Sequence, residues 1–224
     1  MDMTMASAVP DWLTPVAWTY IIVSLLSAAF IAADLYVLRR RQRSVATELV
    51  WITSALYLGP FAAPAYLRRG RAHSAGETDR DGTIVAVLSG GGASAVAHLI
   101  AVPFVAAVGW TIAGMAMWPM ILVIAVLAIA MVAAFVHLSG RPGQSAGMGG
   151  VSVGAALVAA VITVAAFDVG MVGWMLLLDA NSLMPAVTEG TFWFLMQLGV
   201  VVGLATGYPA VRWLLRRDQA AVVA

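Results

Sequence analysis

Between Thr83 and Gly140 the chain carries no aspartate, glutamate, lysine or arginine. One helical crossing of a bilayer needs about 20 mostly apolar residues, so this charge-free run is long enough for two. The apolar stretches and the polar breaks between them predict six membrane-spanning segments, at about 15–38, 47–67, 84–110, 118–139, 152–178 and 191–214. None shows the strict alternation of a barrel strand, and backbone polar groups cannot go unpaired in lipid. The expected fold class is therefore all-α, a polytopic transmembrane helix bundle forming a single integral membrane domain over residues 1–224. Trp12, Trp18, Trp110, Trp118, Trp193 and Trp213 fall near the predicted interfaces, where amphipathic indoles settle. Gly140, Pro142 and Gly143, and Asn181 with Pro185, mark turns. The polar linker 68–82 and the Gly- and Ser-rich run 139–150 read as loops.

The second segment is ambiguous. It contains Glu48, Gly59, Pro60 and Pro64, which suit a broken or re-entrant helix, yet its 21 residues over 47–67 are enough to cross. Six crossings, the favoured reading, put both termini on one side with Arg68, Arg69, Arg71, Arg80, Arg141, Arg216 and Arg217. The positive-inside rule makes that side cytoplasmic. Arg39, Arg40, Arg41 and Arg43 then lie outside, against the rule. The alternative, five spans plus a re-entrant segment at 47–67, brings both arginine groups to one side.

Composition narrows the function classes. Charged residues are 10% of the chain against about 25% in a soluble domain, which leaves no room for a sizeable soluble domain. A net charge of +1 gives no reason to expect a nucleic-acid partner; the expected partner is the lipid bilayer. The chain has no cysteine, so disulfides, thiolate metal sites and cysteine nucleophiles are excluded. It has no lysine either, which excludes a retinal or pyridoxal Schiff base. Residues 1–13 hold Asp2 and Asp11 and no basic residue, unlike the start of a cleaved signal peptide. No cofactor or metal site is expected, since the twelve methionines show no ligand cluster and fill apolar cores well.

Small residues suggest how the helices pack. Gly199, Gly203 and Gly207 repeat at a spacing of four and form a smooth strip that a neighbouring backbone can approach closely. Gly150 and Gly154 repeat the spacing around the start of the fifth span. Packing within the chain is the simpler use of these strips. A membrane-protein partner or a second copy of the chain is the other.

Few ionisable groups lie deep in the spans. Asp168 falls near mid-membrane, where a carboxylate costs about 2.5–3.5 kcal/mol on insertion scales. His98 falls at similar depth in the third span, and depth matching suggests a pair with Asp168. Ser94 shares a helix face with His98, and Gln197 adds a polar group in the last span. Asp168, His98, Ser94 and Gln197 are the candidate intramembrane polar site. Asp34, Glu48 and His137 lie close enough to the interfaces to be solvated.

Several stretches resemble a bacterial membrane family known as domain of unknown function 4396. One is Asp34 with the arginines after it, Val50-Trp51, Ala55-Leu56-Tyr57, Gly59-Pro60 and Gly70-Arg71. A second is Ala166 through Met171 with Gly173, Trp174 and Met175. The most specific is the end: Phe192 through Phe194, Met196-Gln197, Gly203, Thr206, Tyr208-Pro209 and Trp213-Leu214. The resemblance implies a multi-pass protein of the bacterial plasma membrane and no particular activity. Members carry a His-Cys and Gly-Cys pattern where this chain has Ser89 through Ala95, so metal or thiol chemistry there is not expected of it. The acidic position varies between Glu and Gln among members and is Asp168 here.

Two functions fit. One is a small carrier or channel for a proton, cation or small solute, centred on Asp168. The other is a non-catalytic membrane subunit that packs against a partner membrane protein. No serine–histidine arrangement, acid pair or His-Glu-x-x-His spacing supports an enzyme.

Overall fold

The computed structural model describes residues 9–42, 44–71, 79–138 and 153–223, with side chains described for all but 79–83, 138 and 218–223 of these. The whole 139–150 run with Gly150 and Arg141, residues 72–78 of the polar linker, and Arg43 lie outside the described residues. Within them the chain is helical, with no β-strand: α1 Leu13–Tyr36, α2 Val45–Leu58, α3 Ala62–Ala65, α4 Asp79–Val108, α5 Met117–Leu138, α6 Val153–Ala180 and α7 Gly190–Val223. Six helical stretches, the second being 45–70, are long and apolar enough to cross a membrane.

Contacts fix the path of the second stretch. Ser44 caps α2 by accepting from the Thr47 amide at 3.1 Å. The helix then runs 14 residues, about 21 Å, to Gly59. Gly59 has φ +55°, a backbone conformation that disfavours any side chain, and Pro60 follows it inside a 3-10 turn, Gly59–Phe61. The chain reverses there. It returns through α3 and a widened π turn, Tyr66–Gly70. In a continuous helix Trp51 and Gly70 would stand about 28 Å apart. Instead a Cβ on Gly70 would lie 3.0 Å from the Trp51 ring, and that ring packs edge-on against Tyr66 at 5.7 Å. The Gln42 side chain, just ahead of α2, donates to the Gly70 carbonyl at 2.9 Å. Both ends of the segment are at one level, so it is a re-entrant hairpin.

Helix directions agree. Trp18 meets Gly190 and Tyr20 meets Phe194, so α1 and α7 start at the same end and run parallel. Trp174 pairs with Leu195, Gly170 with Val202 and Thr206, and Phe167 with Gly203 and Gly207, so α6 and α7 are antiparallel. Five crossings by α1, α4, α5, α6 and α7 satisfy both relations; six would set α1 against α7. Of the two arrangements expected for these six apolar stretches, the contacts match the alternative, five crossings plus a re-entrant segment, rather than six crossings with both termini on one side. The start of α1 and the end of α7 lie at opposite ends of the bundle. The nine arginines with described side chains lie at the end where α1 and α7 finish: Arg39, Arg40, Arg41, Arg68, Arg69, Arg71, Arg212, Arg216 and Arg217.

The hairpin base is held by buried ions. Asp34, 1% exposed, accepts from Arg71 at 2.5 Å and from the Tyr66 hydroxyl at 2.9 Å. Glu48, equally buried, accepts from Arg41 at 2.7 Å and from the Gln42 amide at 2.9 Å. Both carboxylates were expected to be solvated. Tyr66 and Arg71 of the returning arm meet Asp34, and Arg41 and Gln42 ahead of α2 meet Glu48; burial is tolerable because each has a cationic partner. His137 is exposed, as expected of a residue at a helix end.

Candidate functional site

α2 stands between α1 and α4, which scarcely touch one another, and α7 backs all three. Because α2 turns back at Gly59, the space beyond its tip stays open. A cavity of about 310 Å³ occupies that space. α1 lines it with Trp18, Ile21, Ser24 and Leu25; α2 roofs it with Leu56 and Tyr57; α4 adds Ala95, His98 and Leu99; α7 adds Trp193, Met196, Gln197 and Val200. Among the described residues no carboxylate or arginine lines it.

The walls hold themselves in place through hydrogen bonds to backbone carbonyls. Ser24 donates to Tyr20 at 2.7 Å, Tyr20 to Tyr57 at 2.8 Å and Tyr57 to Leu88 at 3.2 Å. Tyr20 also packs beside Gly59, where a Cβ would fall 2.6 Å from the ring. The Gln197 amide donates to the Leu56 carbonyl at 2.6 Å, joining residues 141 apart in sequence and pinning the hairpin tip to α7.

Four buried side-chain polar atoms lack a partner among the described residues: Glu48 Oε2 and Arg71 Nε at the hairpin base, and two atoms of the cavity lining. His98 is 4% exposed, and its Nδ1 lies 2.8 Å from the Ser94 carbonyl. A carbonyl only accepts, so Nδ1 carries the proton and Nε2 presents a lone pair. That Nε2 is buried without a hydrogen-bond partner among the described residues, and so is Gln197 Oε1. Buried polar atoms are rarely left unsatisfied. Here both orphans are acceptors and both belong to residues lining the same apolar cavity.

Of the residues picked out in the sequence, His98 and Gln197 come together in this cavity, with Ser94 fixing the imidazole. Asp168 does not line it. Asp168 lies midway along α6, half-buried at the margin of the packed face, and no hydrogen bond joins it to His98 or to any other described residue. The suggested Asp168–His98 pair is absent from the described contacts. Depth was a fair guide, since Gly90 of α4 faces Thr163 of α6. It could not say that His98 turns toward α7 and the hairpin.

Gly199, Gly203 and Gly207 face α6, where Met171, Trp174 and Phe167 fill the space a side chain would need. The strip is thus occupied within the chain. Gly154 has nothing within 4 Å of its Cβ position. The sequence did not single out Trp18, Leu56 or Tyr57 as lining residues. Only the Gly59-Pro60 break hinted that α2 would end over a cavity.

Residues 81–219, more than half of the chain, match the family described as Domain of unknown function (DUF4396). The match takes in the Ala166–Met175 and Phe192–Leu214 motifs; the hairpin lies outside it. No curated protein and no solved structure matches the chain.

Proposed function

The chain belongs to the family of domain of unknown function 4396, and from that premise and the site's geometry we propose that it is a small membrane carrier rather than an enzyme. Its solute site is the cavity beyond the hairpin tip. His98 Nε2 and Gln197 Oε1 accept hydrogen bonds from the solute. The observation that carries this reading is that two buried acceptors without partners among the described residues line one apolar cavity in mid-bundle. With no charged side chain among the described residues of the lining, the solute that fits is neutral and bears O–H or N–H groups, since an ion would lose its hydration without compensation. Asp168, the centre expected from sequence, has no place in this site. We place the protein in a bacterial plasma membrane with the arginine-rich end cytoplasmic and the start of α1 outside, an arrangement supported by the positive-inside rule.

Reconstituted vesicles test the reading. Entry of urea and of glycerol is followed by light scattering, and movement of an NBD-labelled glucosylceramide by dithionite bleaching. The carrier reading expects at least one to exceed protein-free vesicles and to fall at least tenfold in His98→Leu and Gln197→Leu. Rates equal to protein-free vesicles for all three would remove it.

One observation supports a second reading, a subunit of a larger membrane assembly. Asp168 sits half-buried at mid-depth with no partner among the described residues, and a carboxyl there is costly unless something pairs with it. A partner helix offering a donor at that depth would complete it. Co-purification in mild detergent, lost in Asp168→Leu, is the expected sign; a solitary monomer counts against it.

A further inference from the structure

We propose that the cavity is filled sideways from the bilayer, and that its ligand is an amphiphile with an apolar body and a neutral hydroxyl head. This rests on the cavity being the ligand site, as proposed above, but concerns occupancy and not movement.

Leu25 of α1 and Leu99 of α4 both line the cavity, yet they are 55% and 51% exposed. The cavity wall and the outer surface are therefore continuous across these two side chains. They stand on two helices that scarcely touch, with α2 between them turning back at Gly59. Leu25 is 12 residues into α1, about 18 Å from its start, and Leu99 is nine residues, about 14 Å, from the end of α4. At those depths the surface of the protein meets acyl chains, not water. A full crossing by the second segment would have closed this window; the hairpin leaves it open.

The lining tells which molecule fits. Most of it is aliphatic or aromatic, with Trp18, Leu56, Met196 and Val200 among the walls. Ser24, Tyr57 and Trp193 spend their hydrogens on backbone carbonyls. The buried polar atoms of the lining without partners among the described residues, His98 Nε2 and Gln197 Oε1, only accept. An apolar molecule with a hydroxyl head satisfies both the walls and the acceptors. A headless hydrocarbon leaves the acceptors unpaired, and an ionic head finds no counter-charge.

The full-length chain in lipid nanodiscs is titrated with 11-bromoundecan-1-ol and, separately, with its methyl ether, 1-bromo-11-methoxyundecane. Bromine quenches the tryptophans, two of which line the cavity. The alcohol should saturate quenching at a membrane concentration about tenfold below the ether. His98→Leu and Gln197→Leu should bring the alcohol to the level of the ether, and His98→Gln, which keeps an acceptor, should retain a preference. Equal quenching by alcohol and ether in the unaltered chain overturns the ligand class, and so does a preference that survives both leucine variants. The chain has no cysteine, so Leu99→Cys reports the route. N-(1-pyrenyl)maleimide, dissolved in the bilayer, should label it, and a charged, water-soluble methanethiosulfonate should not. Labelling by the charged reagent overturns lateral entry. Alcohol binding without flux removes the carrier reading and leaves this inference standing; flux of urea or glycerol without alcohol preference does the reverse.

Discussion

Breaking the Asp34–Arg71 pair should loosen the hairpin, and the size of the effect can be worked out from its surroundings. Asp34 is 1% exposed and accepts from Arg71 and Tyr66, while the Arg71 side chain keeps 33% of its surface. Removing one member of a fully buried pair costs about 3–5 kcal/mol, mostly because the other charge stays buried alone. Arg71→Gln strands the buried carboxylate, with Tyr66 as its remaining donor, and should cost about 3 kcal/mol. Asp34→Asn strands a cation that can still reach solvent, so about 1.5 kcal/mol is expected. The double variant should cost about 2 kcal/mol, well below the sum, because neither partner is stranded. For a chain of this size the single Arg71→Gln loss corresponds to a midpoint about 6–12 °C lower. Thermal unfolding of all four proteins in one detergent measures this. Strictly additive losses would show that the two side chains do not meet, and the hairpin base would then have to be redrawn.

Further outcomes follow from the same contacts. Gly203→Leu should lower stability by about 1–3 kcal/mol through overpacking against the Phe167 ring, whereas Gly154→Leu, with open space around it, should stay within about 0.5 kcal/mol of the parent; unfolding midpoints in detergent compare them. Gly91→Val should displace Tyr57 and Leu204, since a Cβ there already falls 2.8 Å from the tyrosine ring, and should narrow the cavity, read as weaker quenching by the bromoalcohol. Asp168→Leu should raise the midpoint of the isolated chain by about 1 kcal/mol equivalent, because an unpaired intramembrane carboxyl is removed; a lower midpoint would reveal a stabilising contact for Asp168.

The helices were legible because lipid demands them. The predicted 15–38, 118–139 and 152–178 lie within two or three residues of Leu13–Tyr36, Met117–Leu138 and Val153–Ala180. Hydropathy sees length and apolarity, and by those alone 45–70 still qualifies as a span, although its mean hydropathy of 1.3 is the lowest of the six. Gly59, Pro60 and Pro64 offered a re-entrant path, but choosing it needs the Trp51–Tyr66 stack and the Gln42–Gly70 hydrogen bond, which join residues far apart in sequence. The site was half legible for the same reason. His98, Ser94 and Gln197 stand out as polar residues in apolar helices, and Asp168 stands out more. Which of them share a space depends on which helix lies beside which. The Gln197–Leu56 contact spans 141 positions, and no local pattern encodes it.

Because the chain lacks cysteine, single cysteines can map its path without background. Arg40→Cys and Arg68→Cys flank the second segment, with Asp11→Cys and Arg217→Cys marking the two ends of the bundle. With an impermeant maleimide applied to one face of the membrane at a time, Arg40, Arg68 and Arg217 positions should label from one face and Asp11 from the other. Labelling of positions 40 and 68 from opposite faces would mean that the segment crosses, and the cavity beyond its tip would not exist.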